Sequence, residues 1–224
     1  MKATFSPSLI TALTMTVTSV AIAAVETSSI EAVVMKMQSF YNATQDLKGD
    51  FKQVYTDALY GRQRTSYGYL YVRKPGMMRW NYVKPEKKSF IADGKILWIW
   101  EPEDKQAFRN ALSTDTLSSG LTFLLGTGDL LKEFSVEASK EQLGAPEDIL
   151  LKMTPQKATP QYSYILLALR PQDFSVRESV VVGKQNRNHF IFGEIQRNTK
   201  LSIKVFQFKP SADTKVIDGR KLNR

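Results

Sequence analysis

One histidine, His189, and no cysteine are what this chain of 224 residues offers for nucleophilic or metal chemistry. A serine mechanism or a metal site would have to be built around that imidazole. Its setting, Asn188-His189-Phe190-Ile191, reads as a strand rather than a catalytic turn. No Gly-x-Ser-x-Gly elbow, P-loop, dinucleotide fingerprint or paired-histidine motif occurs. Glu101, Glu103 and Asp104 cluster after a strand, where solvated charges belong, and no partner base accompanies them. The absence of cysteine removes thiolate nucleophiles, cysteine-ligated metals and disulfides in one step. These residue types leave an enzyme unsupported and offer no metal motif.

The informative side chains are aromatic instead. Between Tyr69 and Pro102 the chain packs rings into short runs separated by turns. Tyr67, Tyr69 and Tyr71 share one face at the two-residue period of a strand; Met78, Trp80 and Tyr82 do so one strand later, with Arg79 and Asn81 opposite. Pro75-Gly76 breaks the first pair of runs and Asp93-Gly94 signals a tight hairpin. Ile96–Trp100 and Tyr162–Leu169 are apolar on both faces, so something must cover the second face. Rings of this kind fill ordinary β cores; around a curled sheet they also leave room for a hydrophobic guest.

The elements that position them follow from the same patterning. Ser28 and Glu31 fit a capping box, and Ile30, Val33, Val34, Met37, Phe40, Tyr41 and Leu47 repeat near helical spacing, predicting an amphipathic first helix. Phe51–Tyr55 and Arg62–Val72 read as strands. A second short helix is expected from Thr114 to Gly126 through Leu117, Leu121, Leu124 and Leu125, with Leu130 and Leu131 as a further turn. Alternation returns from Phe134, in Ile149–Met153, Tyr162–Leu169, Phe174–Val182, His189–Ile195 and Leu201–Phe208. Ten or eleven strands without long intervening helices favour an antiparallel sheet curling toward a barrel.

Lys2, the run of 16 residues from Leu9 to Ala24 and the small-residue site Ala21-Ile22-Ala23 resemble a secretory signal peptide over residues 1–23, leaving one domain over 24–224. That run is short for a membrane span and carries four threonines. The net charge of +9 includes only Lys2 from the leader, leaving about +8, spread among acidic residues. This pattern suits a solvated basic surface, with attraction to anionic headgroups as a second possibility, better than nucleic-acid binding.

Arg73-Lys74-Pro75, then Met78-Arg79-Trp80 and Tyr82 with Lys84-Pro85, then Ile91-Ala92-Asp93-Gly94-Lys95 and Leu97-Trp98-Ile99-Trp100 with Pro102 form an ordered signature. Phe51-Lys52-Gln53-Val54, Phe123-Leu124-Leu125-Gly126 and Phe206-Gln207-Phe208-Lys209-Pro210 with Val216-Ile217 extend it. The signature resembles the LolA family of periplasmic outer-membrane lipoprotein carriers. The resemblance implies a mainly β (α+β) single-domain fold: an incomplete antiparallel β-barrel, or half-barrel, with a helical lid over a hydrophobic cavity. It implies a periplasmic chaperone, exported by a cleavable signal peptide, that uses no cofactor and acts as a monomer. The implied partners are lipoprotein acyl chains, an inner-membrane Lol ABC transporter complex and an outer-membrane acceptor such as LolB.

The expected acyl-chain cavity draws on Phe51, Tyr69, Tyr71, Met78, Trp80, Tyr82, Phe90, Trp98 and Trp100, and on helix faces at Val34, Met37, Leu121 and Leu125. In the family an arginine before the strand-ending proline holds the lid through backbone carbonyls. Here that position is Lys74, preceded by Arg73, so either residue is a candidate lid latch; the alternative is two solvated residues at a strand end. Rival readings are an RseB-like periplasmic sensor or regulator, and a carrier of another lipid or glycolipid.

Overall fold

The computed structural model describes residues 18–112 and 129–219, with side chains from residue 30 onward. Helix α1 (Thr18–Asn42) precedes β1 (Asp46–Asp57), β2 (Gln63–Arg73), β3 (Met77–Lys84), β4 (Lys88–Asp93), β5 (Ile96–Glu101) and β6 (Gln106–Ala111). The one-turn helix α2 (Leu130–Glu133) leads into β7 (Phe134–Ala138), β8 (Ile149–Pro155), β9 (Tyr164–Leu169), β10 (Val176–Val182) and β11 (Asn186–Phe192). Short β12 (Gln196–Arg197), a 3₁₀ turn at Ile203–Phe206 and β13 (Lys215–Asp218) follow.

These strands form a single 13-stranded sheet in the order β13-β6-β5-β4-β3-β2-β1-β11-β10-β9-β8-β7, with β12 beside β1. Every pairing is antiparallel except β13 with β6. The order has two free ends, so the sheet is an incomplete barrel. Long β1 joins its two meanders, pairing with β2 on one side and β11 on the other.

Local chemistry sets the turns. At Asp93-Gly94 only the glycine uses positive φ (+96°), while the Asp93 carboxylate accepts from the Lys95 and Ile96 amides at 2.9 and 2.8 Å. At the β1–β2 tip Asp57 does the same for Leu59 and Tyr60. The register places Phe51 opposite Gly68, where an added Cβ would collide with the Phe51 ring and the Asn81 carbonyl. Glycine there lets the ring lie across β2.

Alternation gives the sheet two unlike faces. The concave face carries Phe51, Leu70, Val72, Met78, Trp80, Phe190 and Phe192, with Leu151, Met153, Ile165 and Leu167 from the other meander, and α1 lays Val34, Met37 and Tyr41 onto it in one hydrophobic cluster. On the convex face, Ile91, Ala107 and Phe206 are fully buried where the segment after β12 crosses the back of β3–β6. Trp98 and Trp100 pack on Phe208 there, at 5.3 and 5.4 Å between centroids.

Four expectations are corrected. Helix α1 begins at Thr18, upstream of Ser28, so Ser28 does not cap it; neither glycine nor proline interrupts the chain from 18 to 42. Leu47 lies in β1, because the helix ends at Asn42. Leu201–Phe208 is not a strand of the sheet. Asn198 and Lys200 take left-handed φ of 56° and 59°, and that reversal throws the chain across the sheet's back. Strands β6 and β13 are additional to those expected, bringing the strands among the described residues above ten or eleven. The helix expected at 114–126, with Leu121 and Leu125, lies outside the described residues.

Candidate functional site

The candidate site is the concave face. Across it the register sets side chains next to one another: Trp80 lies between Leu70 and Phe90, Met78 between Val72 and Ala92, and Phe51 between Gly68 and Phe192. Phe51 packs against Trp80 and Tyr82 at 4.9 and 5.1 Å, and Trp80 packs against Phe190 and Phe192 at 5.3 and 6.4 Å. Each of these tilted and edge-on rings buries a large apolar area.

The structure divides the sequence-predicted set. Phe51, Met78, Trp80, Tyr82 and Phe90 come together on the concave face, in one cluster with Val34 and Met37. Tyr69 and Tyr71 stand on the convex face, and Tyr69 is 49% exposed. Trp98 and Trp100 also face the convex side, because Leu97 and Ile99 take the inward positions of β5. Both tyrosine and tryptophan tolerate a half-wet setting through their polar edge, which is why their abundance does not reveal the face.

Where β1 to β4 approach the β1–β2 tip, the concave face opens into a cavity of about 650 Å³ lined by residues that include Gln53, Tyr55, Arg64, Ser66, Tyr82 and Phe90. Its floor is aromatic and its rim charged: Arg64 pairs with Glu86, and Lys88 with Glu101. Burial pushes the Tyr82 phenol well above its ordinary value.

At the opposite end, Arg73 and Lys74 diverge. Lys74 Nζ donates to the carbonyl oxygen of Tyr41 in the last turn of α1. Arg73 reaches the other way and donates to the Leu201 carbonyl of the convex segment. Partial burial lowers the Lys74 pKa, and the helix C-terminus offers its ammonium a favourable dipole. Tyr41 makes a second tie, its hydroxyl accepting from the Val176 amide at 3.1 Å; burial raises that phenol to about 12. Arg197 lies 3.7 Å from the Phe40 ring centroid and donates to Thr44.

Sequence reasoning missed two groups. Asp46, a buried carboxylate, accepts from the Thr199 and Lys200 amides at 2.8 and 3.0 Å and from the Thr199 hydroxyl, fixing the reversal. Gln53, Ser66 and Ser179 are polar residues on the concave face. The period-two step from Phe51 to Gln53 is the signal that could have found the first of them.

The residues considered for chemistry lead elsewhere. His189 pairs with Glu178 at 2.7 Å on the convex side of β11. Glu101 is engaged by Lys88 and Gln106, which hold its carboxyl below the usual range. Among the described residues no group of three His, Cys, Asp or Glu could hold a metal ion. No helix among them is long and apolar enough to cross a membrane.

Known proteins share this arrangement. The chain is 26% identical over 188 residues to an outer-membrane lipoprotein carrier protein of Chromobacterium violaceum, covering 84% of this chain and 88% of that one. It is 29% identical over 184 residues to the protein of the same name from Xanthomonas axonopodis pv. citri, covering 81% and 86%. A crystal structure of an uncharacterized conserved protein from Thermus thermophilus superposes with a TM-score of 0.55 at 12% identity, over 85% of this chain and 99% of that one, which shows the shared fold. The family profile of the outer membrane lipoprotein carrier protein LolA matches residues 42–209, taking in the sheet from the start of β1 to the convex segment, and the chain belongs to the LolA family.

Proposed function

We propose that this protein is a periplasmic carrier that holds the acyl chains of lipoproteins against the concave face, receiving them from an inner-membrane ABC transporter and passing them to an outer-membrane acceptor. The observation that carries this reading is the cover of the aromatic wall: α1 rests on it through Val34, Met37 and Tyr41. Its C-terminal turn is held by contacts that include Lys74, the Val176 amide and Arg197.

The energetics suit transfer. Each acyl methylene hidden from water is worth about 0.8 kcal/mol, so a multi-chain anchor cannot cross an aqueous compartment bare. A rigid empty cavity would hold such an anchor too firmly to release it. A wall already covered by its own helix when empty charges each guest the cost of displacing that helix, which tempers affinity and permits handover. Lys74 is the proposed latch, holding the helix through one charged hydrogen bond that a moving lid can break and remake.

The decisive experiment is to recover the protein from periplasm and identify what accompanies it by mass spectrometry. Triacylated lipoproteins are the expected cargo. Recovery of phospholipid or glycolipid alone, or of an empty protein bound to an inner-membrane regulator, overturns the proposal.

A further inference from the structure

Within the apolar wall, two fully buried polar atoms have no hydrogen-bond partner among the described residues: the indole Nε1 of Trp80 and the hydroxyl of Ser179. Trp80 is 4% and Ser179 1% exposed, and both belong to the concave face. They lie on either side of one ring. Ser179 is the cross-strand partner of Phe190, and the Trp80 ring packs against the same Phe190.

The register extends this into a row. Ser66 pairs with Gln53, Gln53 with Phe190, and Phe190 with Ser179, so polar side chains recur across β2, β1 and β10 on the inner surface. Ser66 and Gln53 line the open cavity at one end of that surface. Deeper in lie Leu70, Val72, Met78 and the helix residues Val34 and Met37, which are wholly apolar. Gln53 spends its amide N–H on Asn188 at 2.8 Å, leaving its carbonyl as an acceptor.

A buried donor without a partner costs free energy, and neighbouring rings offer the indole N–H only the weak acceptance of a π face. Valine or alanine would complete the wall at position 179 without that cost, as Val181 does two residues on. Two unsatisfied donors beside a polar mouth and a dry interior are what the head of an acyl chain needs. There the carbonyl of an ester begins a hydrocarbon tail.

Resting on the carrier reading, we propose that Trp80 Nε1 and Ser179 Oγ donate hydrogen bonds to acyl ester carbonyls, with Ser66 and Gln53 on the mouth side, so that the site distinguishes acyl from plain alkyl chains and fixes how deep they enter. The glycerol would then occupy the mouth cavity and the tails the wall beyond the row.

The test uses the purified protein and two probes of equal chain length, dioctanoylglycerol and its di-O-octyl ether, which lacks the carbonyls. Calorimetry should show the ester binding about tenfold more tightly. Infrared spectra should show its carbonyl stretch shifted to lower frequency on binding. Ser179→Ala and Trp80→Phe should each draw the ester-to-ether ratio toward one. The wild-type comparison and the infrared shift stand even if Trp80→Phe fails to fold. Equal affinity for both probes with an unshifted carbonyl overturns this inference and leaves the carrier reading intact. Binding of neither probe overturns both.

Discussion

The two faces of the sheet carry two covers, and the covers are built differently. On the convex face the segment after β12 is fastened by polar bonds along its path. Asp46 binds Thr199 and Lys200, Arg73 donates to Leu201, and Arg79 donates to Val205 at 3.1 Å. Phe206 and Phe208 then seal a small apolar layer beneath it, and β13 ends it as a parallel strand beside β6. On the concave face α1 is fastened largely by packing, through Val34, Met37 and Tyr41. Lys74 and Tyr41 supply polar ties at one end, and Gln38 accepts from the Leu130 amide further along the helix. Packing is non-directional, and an apolar guest can replace it; a hydrogen-bonded strap has no such substitute. On the proposed carrier function the strap is the permanent cover and the helix the exchangeable one.

The largest effect should come from attacking the permanent cover. Phe206 is 1% exposed, and Phe206→Ala should cost about 3–4 kcal/mol of stability, read as a lowered urea midpoint with unchanged slope. A bound acyl lipid should not restore that loss beyond the stabilisation it gives the wild type, because the strap lies on the face opposite the guest. Preferential rescue by lipid would show that the two faces are coupled and that the distinction drawn between them is wrong.

This division is half legible in the sequence. The order strand, turn, strand, loop, strand, hairpin, strand from Tyr67 to Trp100 is readable because proline, glycine and aspartate mark its turns and alternation marks its faces. Alternation separates two faces but does not name the inner one. Tyr69, Trp98 and Trp100 look as greasy as Trp80, and their place on the convex side follows from the long-range register of β1 with β11 and from the strap. The strap itself reads as a strand, since Leu201–Phe208 has a strand's composition. The left-handed turns at Asn198 and Lys200 depend on a carboxylate more than 150 residues earlier, which no local window contains. Lys74 and Arg73 are legible as a pair, and the opposite directions they take follow from alternation at the end of β2.

That pair gives the next test, with smaller effects. Arg73→Leu removes a tie to the strap, and Lys74→Leu removes a tie to α1. Each should cost roughly 1 kcal/mol, the net worth of a partly exposed charged hydrogen bond less the desolvation it relieves. The two should differ in location. Hydrogen exchange should quicken about fivefold in α1 amides for Lys74→Leu and in β13 amides for Arg73→Leu. Acyl-probe loading should accelerate only with Lys74→Leu. Identical exchange patterns in the two variants, with loading unchanged in both, would remove the latch from the mechanism.

The smallest expected effect lies at the rim of the mouth, on the exchangeable side. Lys88 and Gln106 both donate to Glu101, and these hydrogen bonds, the lysine's first, hold its carboxyl below the ordinary 4.5. A carboxylate with a depressed folded pKa contributes stability that is fully present above its unfolded value and is lost as pH falls through the folded one. Stability should therefore be insensitive to Glu101 from pH 7 to about 5 and decline below about 4.5. Lys88 is 39% exposed, so solvent screens the pair and its share amounts to a few tenths of a kcal/mol. Glu101→Gln should flatten that portion of the acid profile and leave the neutral-pH urea midpoint nearly unmoved. A change approaching that of Phe206→Ala would mean that the mouth rim is a structural joint like the strap, and that the concave face does not yield to a guest at the end where the cavity opens.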